Sequence, residues 1–179
     1  PLHVAGYTKG VPFEQVLIPA WAAGFSAFGC ACADFEYRYD RTVDLPLLPG
    51  APPEGVAGIG MMLSAAWRAL EDRVATEFEK SGYGRGSVKF VHAVRMQYFG
   101  QLNDIEIDSP HATIETADQM NELVARFEDS YGTLYAASAK SPELGYVVTQ
   151  AIVRGSVDVE KPQLPVRELG GGSPPVKHT

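Results

Sequence analysis

The sequence has little of what marks secreted, membrane or nucleic-acid-binding proteins. Its 179 residues include two cysteines, Cys30 and Cys32, which are too few for a disulfide framework. A proline and two glycines interrupt the longest apolar stretch, residues 16–32, so it does not predict a transmembrane helix. A formal net charge of −7 leaves no basic face for phosphate contacts. These absences argue against membrane and nucleic-acid partners.

The two ends of the chain lack the features of a complete polypeptide. No segment with a basic start and an apolar centre opens the chain, so we expect no signal peptide and a cytoplasmic location. The sequence begins on Pro1 rather than on methionine, and its last ten residues, GGGSPPVKHT, have the composition of a linker. We therefore expect the chain to be a fragment of a longer protein.

Two segments have the periodicity of amphipathic helices. Over residues 61–81 apolar side chains recur at steps of three and four, which predicts a helix with one buried face. A second helix is predicted from Thr116, which forms a capping-box pattern with Gln119, to Gly132. The apolar positions of the two helices are Leu63, Trp67, Leu70, Val74 and Phe78, and Met120, Leu123, Phe127 and Tyr131.

Alternating apolar residues predict a β-hairpin between these helices. Residues 88–98 read as a long strand with one apolar face, Gly100 permits a turn, and residues 104–108 return as a second strand. Residues 145–159 predict a third strand. The resulting order, α-β-β-α-β, predicts an α+β domain with its helices on one face of a largely antiparallel sheet.

The N-terminal part of the chain has a different pattern. A short helix ending at Gly10, a strand over residues 14–19 with an apolar run at 16–19, and a helix rich in small residues are predicted there, as in a parallel sheet covered on both faces. We therefore divide the chain into a terminal α/β segment (1–40), a Pro/Gly-rich connector (41–58), the α+β domain (59–160) and a flexible linker (161–179).

Two patterns resemble reactive sites but favour structural roles. Cys30 and Cys32 have no second pair of ligands for zinc, so we expect them to be buried small residues. The loop with Gly82, Gly84 and Gly86 lies between a helix and a strand, whereas phosphate-binding loops precede a helix. No metal site is predicted.

Five polar residues could carry chemistry, and each also has a structural interpretation. Ser26 partly matches a nucleophile elbow, but a helix cap is favoured because a second glycine is absent. Asp104, Glu106 and Asp108 share one side of a strand, which favours a solvated face over acid–base catalysis. His92 lies on an apolar strand face and is expected to be a core histidine.

Several short motifs, taken in order, resemble the C-terminal half of the hydantoinase A/oxoprolinase family, and the resemblance is greatest to its acetone carboxylase branch. The sequence departs from the family pattern at Gln97, where the family has arginine, and at Leu102-Asn103-Asp104. The matching motifs are Pro1-Leu2-His3, Ile18-Pro19, Phe25-Ser26-Ala27-Phe28-Gly29, Ala33-Asp34, Tyr98-Phe99-Gly100-Gln101, and Phe127 with Tyr131-Gly132.

The resemblance implies a function for the intact protein and a limited role for this chain. It implies an actin-like (sugar-kinase-like) ATPase fold, of which residues 1–40 would be the last elements, with His3 near the nucleotide. The intact enzyme would use ATP and Mg²⁺, act on a small carbonyl substrate and assemble with sister subunits. The function is then ketone carboxylation, with cyclic-amide hydrolysis, a subunit-assembly module and a self-contained ligand-binding domain as alternatives.

No catalytic residue is assigned within the chain, and no cofactor is expected in the isolated fragment. The residues that the resemblance marks as family motif are Ser26, Gly29, Asp34, Tyr98, Gly100, Gln101, Tyr131 and Gly132.

Overall fold

A computed structural model describes residues 3–19 and 21–163 of the chain. The chain divides into two compact units, one formed by residues 1–33 and 159–179 and the other by residues 34–158. The predicted linker falls mainly on residues 164–179, which lie outside the described residues, as do Pro1 and Leu2. No helix of the described part is long and apolar enough to cross a bilayer.

The larger unit is built on one antiparallel sheet of four strands. The strands are β1 (Phe35–Leu47), β2 (Lys89–Tyr98), β3 (Ile105–Asp108) and β4 (Tyr146–Val157). Their order across the sheet is β1-β4-β2-β3, so the last strand in sequence lies between two earlier ones. The predicted hairpin is confirmed, since β2 pairs with β3 and aligns Val94 with Ile107.

Two helices pack against one face of this sheet. Helix α3 spans Pro53–Lys80 and begins on a proline, whose missing N–H costs nothing in the first turn. Helix α4 spans Ala117–Tyr135, and the predicted capping box between Thr116 and Gln119 is formed. The order α-β-β-α-β predicted from residue 59 onward is confirmed.

The core lies between the helices and the sheet. Every apolar position predicted for the inner faces of α3 and α4 is buried. Trp67 of α3 is fully buried, and its indole N–H donates to the carbonyl of Ala93 in β2 at 2.9 Å. At the other end of α3 the Phe78 ring lies edge-on to the rings of Phe35 and Tyr37, at centroid distances of 5.4 and 5.0 Å. Both helices are therefore fixed to the sheet by large, fully dehydrated side chains.

The predicted connector, residues 41–58, is wrong over residues 41–47, which belong to β1, and over residues 53–58, which belong to α3. Pro46 was a reason to predict a connector, but an edge strand tolerates proline because its outer N–H needs no partner. A bulge between Thr42 and Leu45, with Asp44 at a φ of 46°, shifts the register of this strand against β4. The inward positions stay odd-numbered on both sides of the bulge, and the exposed Arg41 is the exception.

The smaller unit differs from its prediction at two points. Helices α1 (Val4–Thr8) and α2 (Phe25–Cys32) form as expected, but residues 14–19 are not in a strand. Leu17 of this segment is 86% exposed. A buried strand would need flanking strands to pair with, and the segment has none in the described part of the chain. Helix α2 has no buried residue: Cys30 is exposed and Cys32 is half-buried, so neither is buried as predicted.

Gly155 of β4 supplies the close approach between α3 and the sheet. A Cβ at this position would lie 2.4 Å from Val74 Cγ1 and 2.9 Å from Val88 Cγ1. We expect Gly155→Ala to destabilise the domain by about 1–3 kcal/mol through overpacking. Gly58→Ala is the matched control, because its Cβ meets open space and alanine favours the helix by about 1 kcal/mol. Urea denaturation of both variants tests this, and equal effects would contradict it.

Candidate functional site

Four of the predicted family-motif residues meet at one end of the larger unit. Tyr98 ends β2, and Gly100 turns the chain with a φ of 77°. The side-chain carbonyl of Gln101, just after the turn, accepts a hydrogen bond from the Tyr131 hydroxyl of α4 at 3.0 Å. The hairpin turn is thereby tied to the helix.

An aromatic cluster surrounds this bond, which we call the motif cluster: Tyr98, Gln101, Phe127, Tyr131 and Tyr146. The ring of Tyr98 is at its centre, fully buried, with ring centroids 5.1 Å from Phe127, 4.9 Å from Tyr131 and 5.5 Å from Tyr146. The contacts with Phe127 and Tyr131 are edge-on, and contacts of this kind contribute about 0.5–1.5 kcal/mol each beyond area burial. The cluster therefore joins β2, α4 and β4.

Two hydroxyl groups of the motif cluster, those of Tyr146 and Tyr98, have raised pKa values. Burial, together with a 2.6 Å hydrogen bond donated to Glu128 Oε1, raises the pKa of Tyr146 well above its usual range. Burial also raises the pKa of Tyr98. The Tyr98 hydroxyl makes no hydrogen bond within the described residues. Neither tyrosine is shifted towards an ionised form near neutral pH, which favours a structural role for both.

Gly132 does not end its helix as predicted, since α4 continues to Tyr135. A Cβ on Gly132 would lie 2.6 Å from Lys140 Cε. The glycine therefore lets the Lys140 side chain cross the helix, where its Nζ lies 3.7 Å from a carboxylate oxygen of Asp129. This position of the motif serves packing.

The remaining residues that the resemblance marks lie near the start of the chain, between residues 3 and 34, and are not members of the motif cluster. His3 caps the five-residue helix α1 and sets its ring 6.4 Å from that of Tyr7. Ser26 and Gly29 lie within α2, and Ser26 is not its N-cap, which is Gly24. Asp34 begins the larger unit, directly before β1.

His92 is a buried core histidine, as predicted. It is 6% exposed, its ring centroid lies 5.2 Å from that of Trp67, and its Nε2 lies 2.6 Å from Glu71 Oε1. The other oxygen of Glu71 accepts a hydrogen bond from Arg85 at 2.8 Å. Glu71 of α3 is therefore the hydrogen-bonding partner of the buried histidine ring. Strand periodicity alone could not identify this partner.

The three acids on β3 and before it carry an ion network on the sheet face away from the helices. Arg38 of β1 donates two hydrogen bonds to Glu106 of β3, both at 2.8 Å, although two strands lie between β1 and β3. Arg95 binds Asp104 at 3.0 Å, and Arg154 binds Asp108. The three acids therefore lie on a solvated face, as predicted, and arginines of the other strands bind them there.

Glu106 is the centre of this network. The hydrogen bonds and charge of Arg38 lower the pKa of Glu106, with smaller contributions from Arg154 and Arg95. The same pair raises the pKa of Arg38. Glu106 is hydrogen-bonded to Arg38 and lies 4.0 Å from Arg95 and 3.9 Å from Arg154. A carboxylate held ionised in this way is a structural anchor, since it has no proton to exchange near neutral pH. The arginines of β1 and β4 that complete it gave no signal in the sequence.

No group of three or more His, Cys, Asp or Glu side chains is arranged to hold a metal ion in residues 3–19 and 21–163. Two kinds of arrangement are present in the larger unit: the motif cluster fixes α4 to the sheet, and the ion network fixes strands to one another. The larger unit is a mixed α/β domain, and the motif residues within it hold its strands and helices in place.

The family of the chain follows from its sequence and fold together. The family model described as the hydantoinase/oxoprolinase C-terminal domain matches residues 51–179. The chain belongs to this family.

Two curated relatives are carboxylase subunits. The chain is 50% identical over 175 residues to the acetone carboxylase beta subunit of Xanthobacter autotrophicus, which covers 98% of this chain and 24% of the relative. It is 24% identical over 174 residues to the acetophenone carboxylase gamma subunit of Aromatoleum aromaticum, covering 97% and 23%. The chain thus spans about a quarter of the length of these relatives.

Solved structures share the fold. A nucleotide-free structure of acetone carboxylase superposes with a TM-score of 0.91 and 49% identity, covering 97% of this chain and 24% of that one. An ATP-dependent caprolactamase from Pseudomonas jessenii superposes with a TM-score of 0.69 at 19% identity, covering 94% and 23%. The second match shows a shared fold alone.

The ion network makes a pH-dependent contribution to stability. Because the folded state lowers the pKa of Glu106, this contribution is complete above its ordinary pKa of 4.5 and is lost as the pH falls through the lowered value. We expect Glu106→Gln to reduce the free energy of unfolding at pH 7 by about 1 kcal/mol, a value discounted for the partial exposure of Arg38. Below pH 4.5 the difference between variant and wild type should shrink. Urea denaturation across this range measures it, and a constant difference would contradict the assignment.

Proposed function

We propose that this chain is the C-terminal part of an ATP-dependent ketone carboxylase subunit of the acetone carboxylase kind. The 50% identity to the acetone carboxylase beta subunit, along nearly the whole chain, carries the proposal. Identity falls to 24% for the acetophenone carboxylase subunit and to 19% for the caprolactamase. Acetone or a similarly small ketone is therefore the substrate that we assign to the intact enzyme.

The proposed reaction requires ATP and Mg²⁺ elsewhere in the intact enzyme. ATP would activate the substrates by phosphorylating the ketone enolate and bicarbonate, and Mg²⁺ would neutralise the phosphate charge. His3 is the one residue of this chain that we place near the nucleotide, as part of the last elements of an actin-like ATPase fold. A single histidine capping a five-residue helix does not make a nucleotide site. We therefore derive no catalytic step through this chain.

The role that we assign to the larger unit is to shape and support a multisubunit enzyme. Its motif cluster locks the hairpin turn onto α4 through the Tyr131–Gln101 hydrogen bond. Its ion network joins the two edge strands across the sheet. Both arrangements give a rigid body, which is what docking to sister subunits requires.

The function is tested with the full-length protein, purified together with its sister subunits. We expect ATP hydrolysis that depends on acetone and bicarbonate, with incorporation of labelled bicarbonate into product. Hydantoin, oxoproline and caprolactam should stimulate neither reaction. ATP-dependent opening of one of these cyclic amides, without ketone carboxylation, would instead identify a hydrolase and overturn the proposal.

The isolated 179-residue chain should not bind ATP. Our physical reason is that anion-binding loops need successive backbone N–H groups at a helix start, and His3 is the only residue that we assign to the nucleotide region. Isothermal titration calorimetry with Mg-ATP measures this directly. Micromolar affinity would contradict the division of roles that we propose.

A further inference from the structure

Strand β3 leaves backbone hydrogen-bonding groups free at the outer edge of the sheet. The N–H of Ser109 donates to the His92 carbonyl at 2.8 Å, so Ser109 is a hydrogen-bonded position in the antiparallel pairing of β3 with β2. Because such positions alternate along a strand, the residues of β3 that hydrogen-bond to β2 are Ile105 and Ile107. The N–H and C=O groups of Glu106 and Asp108 therefore point away from β2, and they make no hydrogen bond within residues 3–19 and 21–163.

Helix α4 forms a wall beside this free edge. A depression of about 520 Å³ lies between Asp108 and Arg126, and a second of about 470 Å³ lies between Ile105 and Leu134. Both depressions are lined by Glu106, Asp129 and Ser130, so they are parts of one groove. We call it the β3–α4 groove.

The two ends of the β3–α4 groove differ in chemistry. At one end Arg126 makes no ion pair or hydrogen bond within the described part of the chain. At the other end the Leu134 side chain is 62% exposed. One end therefore fits a carboxylate and the other fits an apolar side chain.

The spacing of these two residues matches an extended chain. Arg126 and Leu134 are eight residues apart on a helix, about 12 Å along its axis. Four residues of a β-strand cover about 13 Å, and side chains an even number of positions apart lie on the same side. A strand that adds to β3 could thus place an apolar side chain against Leu134 and a carboxylate against Arg126.

We propose that the β3–α4 groove binds an extended segment of another polypeptide as a fifth strand, with an apolar residue and an acidic residue four positions apart. Main-chain hydrogen bonds to Glu106 and Asp108 would supply affinity, and the two side chains would supply specificity.

Charge complementarity favours this occupant over a second copy of the same chain. If β3 paired with β3 of another copy in one continuous sheet, the side chains brought to the helix face would be those of Ile105 and Ile107. Glu106 and Asp108 would lie on the opposite face, bound by Arg38 and Arg154, so Arg126 would meet no carboxylate. A foreign segment brings a free carboxylate, and this is what Arg126 lacks.

The test uses the 179-residue chain and a capped peptide, Ser-Ile-Thr-Val-Thr-Asp-Ser, which carries isoleucine and aspartate four positions apart. Titration followed by amide NMR shifts should show saturable binding, with the largest shifts at Glu106 and Asp108. Arg126→Glu should weaken binding at least tenfold, and a peptide with lysine in place of aspartate should recover binding to that variant. Methylating the peptide nitrogens that face β3 should abolish binding.

Arg68→Glu is the matched control, since Arg68 is an exposed arginine on the other long helix and lies outside the groove. It should bind the peptide as the wild type does. Absence of binding at millimolar peptide, equal effects of the two variants, or shifts confined to another surface would overturn the proposal. So would a dimer of the free chain, seen by sedimentation, that Arg126→Glu dissociates.

Discussion

The fold of the larger unit depends on the pairing of β4 with two strands at once. β4 is the last strand along the chain, yet it lies between β1 and β2 and hydrogen-bonds to both. Until Tyr146–Val157 is in place, β1 has no partner and the hairpin of β2 and β3 stands alone, which is marginal in water. Closure of this sheet brings together residues more than one hundred positions apart, as in the pair Phe35 and Val157. Such long-range pairing makes the unit cooperative and slow to fold.

This constraint also fixes the physical limits of the domain. The family model matches from residue 51, but the sheet begins at Phe35. Without β1, the outer edge of β4 would be unpaired, and Phe35 and Tyr37 would be missing from the side of Phe78. The folding unit is therefore residues 34–158, longer at its N-terminal end than the region by which the family is recognised.

Side-chain periodicity predicted the parts of this fold in which one face is buried throughout. The helix positions from Leu63 to Phe78 and from Met120 to Tyr131 are buried as predicted, because apolar burial is read directly from spacing. The pairing of Arg38 with Glu106 could not be read in this way. It depends on the strand order, which places β1 and β3 at opposite edges of one sheet.

The errors in the prediction share a physical cause. In β1 the inward positions stay odd-numbered from Phe35 to Leu47, but the exposed Arg41 and Pro46 interrupt the apolar pattern, and pairing with β4 forms the strand nonetheless. The apolar run at residues 16–19 has the composition of a strand, but no strand pairs with it in the described part. In both cases local composition was informative, while hydrogen-bonding partners decided the structure.

The family motifs take on a definite physical meaning in this arrangement. Gly100 permits the turn, Gln101 binds Tyr131, and the ring of Tyr98 fills the space that they enclose. Tyr98 and Tyr131 are buried, whereas a catalytic acid, base or nucleophile must be within reach of its substrate. The motif is therefore a constraint on the position of the hairpin relative to α4. The same constraint sets the distance between β3 and that helix, so residues that do no chemistry themselves determine the shape of the surface offered to a partner.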